Sequence, residues 1–323
     1  MSCGVFRCYG SSIENSSAVA QFLGIVRRGV LLALAALVVV GIGSDSVRAS
    51  TLPSIAAIEA LVAQSSLITH LPANLDPPLQ ELSSRMPWNE LAGAGRCTHP
   101  EQLCRYGDAA SSETIAVFGD SHAAMWAPAV VVAAERRKVR TIVLWRPQCP
   151  LTTTPIGTAC TAWKAQAVRA LLAARPSFVV LAERTSLPGE TWASRPSRAA
   201  WAAGLTTLVT QFSIHHIKVV MVLDNPVLTS QPGRCLARFP SQVQSCSSRV
   251  SASILAATTY RSAEALAARR VGATTVDPLP WICSTTCSPV VGRWLSFYDA
   301  THVSGAYSRH LAGAFSEALA PLW

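Results

Sequence analysis

Four short apolar runs punctuate the chain: TIAVF (114–118), RTIVLW (140–145), SFVVLA (177–182) and IKVVMVL (217–223). None shows the apolar–polar alternation of a half-buried strand, so each must be covered on both faces. Amphipathic stretches follow them, predicted as helices over 123–138, 162–174, 197–212 and 249–271. A shorter fifth strand, ATTV (273–276), and a last helix over 303–319 complete the series. Fully apolar strands alternating with helices predict an α/β fold: a three-layer α/β/α, doubly wound parallel sheet of about five strands. In such sheets ligands gather at the carboxyl ends of the strands.

That pattern occupies residues 114–323. Residues 50–113 lack it; LPANLDPP and GAGRC are turn-rich, and one helix is expected over 55–66, so this stretch reads as a spacer or cap. Residues 1–49 read as a signal peptide or membrane anchor. Arg27 and Arg28 precede fifteen uncharged residues, GVLLALAALVVVGIG (29–43), and VRAS (47–50) then offers a small-residue cleavage site after Ala49. Cleaved, the segment yields a secreted protein; retained, it anchors the chain to the membrane with residues 1–28 inside. Both readings place the rest of the chain outside the cytoplasm.

Cysteine usage agrees. Cys3 and Cys8 precede the apolar segment, and the other eight form four close pairs: Cys97/Cys104, Cys149/Cys160, Cys235/Cys246 and Cys283/Cys287. Local pairing is the simplest connectivity, and disulfides belong to an oxidising compartment. The Cys149/Cys160 pair is expected to bound a loop that ends before the helix over 162–174. No pair has CxxC spacing and no HxxxH half-site accompanies them, so neither a metal nor another cofactor is expected. The net charge of +9 is spread without a dense Lys/Arg run or an aromatic-interleaved basic stripe. That excludes a nucleic-acid partner and fits an anionic envelope surface.

Chemistry concentrates at two places. The first strand runs into Gly119-Asp120-Ser121-His122, and FYDATHVSGAYSRHLA (297–312) carries Asp299 three residues before His302. A serine hydroxyl attacks only when a base takes its proton and a third group orients that base. The DxxH spacing, in a turn entering a helix, puts both side chains on one face. Ser121, His302 and Asp299 are therefore the candidate catalytic set. Asp120 is expected to brace the turn by accepting backbone N–H bonds.

FGDSHAAMWAPA (118–129) and YDATHVSGAYSRHLA (298–312), with QCP (148–150), LDNPV (223–227) and the last two cysteine pairs between them, resemble the SGNH (GDSL-like) hydrolases. They are most similar to the branch that forms the extracytoplasmic domain of acyltransferase-3 proteins, which O-acylate envelope glycans. The likeness spans about residues 97–319. It implies Ser121 as nucleophile, His302 as base, Asp299 as orienter, and the Ser121 backbone N–H as an oxyanion donor at a helix start. Many such enzymes add a glycine after the second strand and an asparagine after the third. Here those places hold RPQCP (146–150) and ERTS (183–186), leaving Arg184 or a backbone N–H as substitute donor. Asn225, beside Asp224 after the fourth strand, either touches substrate or forms the turn before Pro226.

The resemblance implies acyl transfer, of acetyl first of all, or ester hydrolysis on an envelope polysaccharide or acylated glycan. Transfer would require a separate membrane acyltransferase as partner. A stand-alone carbohydrate or lipid esterase and an inactive glycan-binding module on the same fold are the alternatives. His122 reads as packing or pocket wall, His215, His216 and His310 as structural, and Trp126 and Trp294 as candidate sugar platforms.

Overall fold

A computed structural model describes residues 51–155, 157–185, 196–251 and 258–323. The N-terminal segment 1–49, Ser186 and part of the helix expected over 249–271 lie outside the described residues. Among the described residues no helix is long and apolar enough to cross a membrane.

The central sheet has six strands: β1 (Cys104–Tyr106), β2 (Thr114–Gly119), β3 (Arg140–Trp145), β4 (Phe178–Ala182), β5 (Lys218–Val222) and, after the short β6 (Ser248–Arg249), β7 (Thr274–Val276). Their order is β1-β3-β2-β4-β5-β7. Five strands run parallel, as expected. The sixth, β1, pairs antiparallel with β3 at the edge. It escapes a reading of the sequence because CRY is too short and too polar to register as a strand; its pairing with β3 and the Cys97–Cys104 disulfide hold it there. Three further strands, β8 (Thr286–Cys287), β9 (Val290–Val291) and β10 (Trp294–Leu295), form small two-stranded ribbons, β8 with β6 and β9 with β10.

Both sheet faces are covered, which is why the strands carry no polar alternation. On one face pack α1 (Ile55–Gln64), α2 (Ser121–Glu135), α7 (Gly305–His310) and α8 (Ala312–Ala318), closing over Ile115, Val117, Val143, Val180 and Val220. On the other pack α3 (Thr158–Ala174), α4 (Arg198–Ser213) and α6 (Thr258–Arg270), over Phe118, Leu144, Leu181 and Met221. A short helix, α5 (Pro232–Arg238), lies in the Cys235–Cys246 loop.

Residues 51–113 do more than connect. Ile58 and Val62 of α1 are buried in the first core, and the Trp145 indole donates to the Ala94 carbonyl at 2.8 Å. The helix expected over 303–319 is two, because Leu311 ends one and starts the next.

All four cysteine pairs are disulfide-bonded: Cys97–Cys104, Cys149–Cys160, Cys235–Cys246 and Cys283–Cys287. Cys160 is a correction to the expected layout. It lies in the first turn of α3, half-buried, and not in a loop before a helix starting at 162. The helix starts earlier because Gly157 caps it: the Thr161 N–H and hydroxyl both donate to the Gly157 carbonyl, at 3.0 and 2.9 Å. Thr158-Ala159-Cys160 has no apolar period to announce that turn. Cys149 is buried under the loop after β3, so its bond to Cys160 pins the head of α3 to that loop.

Strand β2 has β3 on one side and β4 on the other, and the helices that follow β2 and β3 lie on opposite faces. Its carboxyl end is thus the topological switch point, where a crevice opens in folds of this kind. Gly119-Asp120-Ser121-His122 stands at that point.

Candidate active site

Strand β2 ends at Gly119, and the chain turns at once into α2. Asp120 is the N-cap: its Oδ1 accepts from the His122 N–H at 2.8 Å. Its Oδ2 accepts from the Arg184 N–H, also at 2.8 Å, and so ties the head of α2 to the end of β4. Burial raises the Asp120 pKa, partly offset by His122 and these backbone donors. The carboxylate braces the turn, as the sequence suggested, and fixes Ser121 as the first residue of the helix.

His302 reaches Ser121 from the far end of the chain. Its Nε2 lies 2.9 Å from Ser121 Oγ, and its Nδ1 lies 2.9 Å from Asp299 Oδ2. A closed loop produces this contact, whereas the sequence reading placed the pair in a turn entering a helix. Phe297 and Val303 form a backbone bridge, the Tyr298 N–H donates to the His302 carbonyl at 2.8 Å, and α7 starts only at Gly305. Inside the loop Asp299 Oδ1 accepts the backbone N–H groups of Thr301 and His302, both at 2.7 Å. The Val303 N–H donates to the Met125 sulfur on α2, and Asn225 Nδ2 donates to the Thr301 carbonyl at 2.8 Å. Burial alone would raise the Asp299 carboxyl, but its bond to His302 and the backbone donors outweigh that and hold it far below the ordinary carboxylate value. Asp299 therefore stays ionised wherever the site works. The three side chains form one hydrogen-bonded line, with His302 13 % and Asp299 31 % exposed.

Residues 92–317 match the sequence model of the SGNH domain (fused to AT3 domains). The chain belongs to the SGNH domain family. No curated protein matches it significantly. Among solved structures it is similar to the periplasmic domain of a lipopolysaccharide acetyltransferase from Salmonella ser. Paratyphi A, with TM-score 0.54 and 11 % identity over 65 % of this chain and 84 % of that one. It is also similar to an aryl esterase from M. smegmatis (TM-score 0.43, 18 % identity, 66 % and 100 % covered). A third is an acetylxylan esterase from Geobacillus stearothermophilus (TM-score 0.44, 13 % identity, 65 % and 94 % covered). The fold is that of SGNH hydrolases, and it supports an esterase or acyltransferase.

Two candidate oxyanion or substrate contacts have hydrogen-bond partners within the fold. Asn225 is buried, and its amide donates to the carbonyls of Pro226 (3.0 Å) and Thr301. Through these bonds it supports the His302 loop. The Arg184 backbone N–H is committed to Asp120, so it is not a free oxyanion donor. Neither tryptophan is an open sugar platform: Trp126 is 1 % exposed and packs on Phe315, while Trp294 stacks on His310 and carries the Arg293 guanidinium at 4.3 Å. The residue sequence reasoning missed is Trp88. Its ring lies edge-on to His302 at 6.1 Å and against Trp145 at 5.1 Å, and only the Pro-Trp step that starts a short 3-10 turn marks it. Among the described residues no cluster of three or more His, Cys, Asp or Glu side chains is arranged to hold a metal.

Below the site Glu183 is buried, accepting from the Trp201 indole at 2.8 Å and the Leu151 N–H. Burial, reinforced by Asp120, pushes its pKa up to about 8 from 4.5. Between those two values the native state holds the proton and the unfolded chain does not, so stability falls as pH rises through that window. Glu183→Gln removes this titration. The Tm difference, variant minus wild type, should grow steadily from pH 5 to about pH 8 in thermal melts; a flat difference would contradict the buried acid.

Proposed function

We propose that the chain acts outside the cytoplasm as an SGNH-type O-acyltransferase or esterase, through an acyl-enzyme on Ser121. The observation that carries this reading is the line Ser121–His302–Asp299, with successive contacts of 2.9 Å. His302 Nε2 takes the Ser121 proton as Oγ attacks the carbonyl carbon of an acyl donor, acetyl first of all. The ionised Asp299 stabilises the imidazolium that forms. The developing oxyanion would be met by the Ser121 backbone N–H in the first turn of α2, where unpaired donors and the helix dipole favour negative charge. His302 then returns its proton to the leaving group. In the second half it activates an acceptor hydroxyl, which attacks the acyl-enzyme and frees Ser121.

A sugar hydroxyl of an envelope glycan as acceptor gives transfer. The family's description, an SGNH domain fused to AT3 domains, supports a membrane acyltransferase as the source of the acyl group. Water as acceptor gives hydrolysis, and the partial exposure of His302 and Asp299 favours this second reading by leaving the base within reach of solvent. Residues 1–49 would export the protein or anchor it at the membrane.

The test is a fluorophosphonate probe followed by an aryl acetate assay. Labelling that depends on Ser121 and His302 supports the reading. Diversion of acetyl into an added glycan selects transferase over esterase. The absence of both labelling and serine-dependent turnover would reject both enzymatic readings and leave the glycan-binding module.

A further inference from the structure

A second histidine–carboxylate pair lies directly behind the first. His122 Nδ1 is 2.8 Å from Asp224 Oδ1, and both side chains are buried. Asp224 Oδ2 accepts the Thr185 N–H at 2.7 Å and the Thr185 hydroxyl at 2.8 Å. Burial would raise the Asp224 carboxyl, but His122 and the two Thr185 donors outweigh it and keep the group below its ordinary value. The ionised form of Asp224 is thus favoured, and one hydrogen bond joins its Oδ1 to His122 Nδ1. His122 Nε2 is buried and has no hydrogen-bond partner among the described residues. With Nε2 lacking an acceptor, the ring is held through its Nδ1 contact with Asp224. The His122 ring lies 5.0 Å from the His302 ring, edge to face.

We propose that His122 and Asp224 form a second dyad that positions His302 against Ser121 and stabilises the imidazolium formed when His302 takes the serine proton. This rests on Ser121 being the nucleophile. Neither residue touches the reacting atoms; both act through His302. The His122 ring packs edge to face against His302, and the buried Asp224 carboxylate holds that ring through its Nδ1. The other titratable and charged groups around the two rings are Asp120 at the head of α2, and Glu264 and Arg261 on α6, which meet the Asp224 N–H and carbonyl respectively. Burial and Asp224 push the Glu264 carboxyl well above its ordinary value.

The experiment compares the purified full chain with Asp224→Asn, His122→Phe and Ser121→Ala on an aryl acetate across pH. Removing the carboxylate charge destabilises the imidazolium, so the acid limb of kcat/KM moves to lower pH. Asp224→Asn is expected to shift that limb by about half a pH unit and to lower kcat about tenfold with KM little changed. His122→Phe, which keeps an aromatic ring in place, is expected to show the same loss in kcat. It decides the matter if Asp224→Asn does not fold. An unmoved acid limb and wild-type kcat in the folded variants, with Ser121→Ala inactive, would overturn the second dyad and leave the nucleophile standing. Wild-type turnover in Ser121→Ala would remove the nucleophile and the dyad together.

Discussion

Ser121→Ala is expected to lower aryl acetate turnover by about 10⁴-fold or more and to abolish fluorophosphonate labelling, with no loss of Tm. The hydroxyl is only partly buried, and its one described hydrogen bond is to His302 Nε2. Removing it leaves the Asp120 cap, the α2 backbone and the Met125–Val303 contact untouched, because none of these uses Ser121 Oγ. Activity and stability should therefore separate. Rates near wild type in the variant would mean that another group carries the chemistry. A Tm loss as large as that of a core substitution would mean that Ser121 is a structural cap.

Much of this was legible in the sequence because burial writes itself into composition. The runs TIAVF, RTIVLW and IKVVMVL announce parallel strands, since only strands covered on both faces omit the polar alternation. The order of elements then places GDSH and the DxxH pair at one sheet edge. Short or polar elements leave no such trace. Strand β1 has three residues, CRY, and is held by an edge pairing with β3 and a disulfide. The first turn of α3, with Cys160 in it, is equally silent, because a glycine cap and a cross-link to Cys149 set it rather than an apolar stripe. The support of the site was also hidden, because it depends on contacts between distant residues. Asn225, after a strand at the active edge, reads equally as a substrate contact or as the turn before Pro226. Its actual partner, the Thr301 carbonyl, lies 76 residues away. The His122–Asp224 pair spans 102 residues. A histidine beside the nucleophile and an aspartate after another strand carry no shared signal until the fold brings both to one point.

Gly119 is the position where stability and chemistry are expected to fail together. A Cβ built there would overlap the Ala182 carbonyl oxygen and stand 2.9 Å from the Ala123 Cβ. The first contact is with backbone of β4 and the second with the first turn of α2, so no flexible side-chain end can yield. Strand β2 must move away from β4, where Gly119 pairs with Ala182, or α2 must lift off the sheet edge. Either shift disturbs the Asp120 bridge between the His122 and Arg184 N–H groups, and with it the position of Ser121. Gly119→Ala should cost about 3 kcal/mol of stability by overpacking. In the fraction that folds, a displacement of about 1 Å at Ser121 should slow labelling about 100-fold. Gly95→Ala is the control, because its Cβ would meet the Trp88 ring at an ordinary 3.5 Å. Gly119→Ala with the melting temperature and labelling rate of Gly95→Ala would show that the strand-to-helix junction tolerates the extra methyl. The glycine before Asp120 would then owe its place to something other than the close approach of β2, β4 and α2.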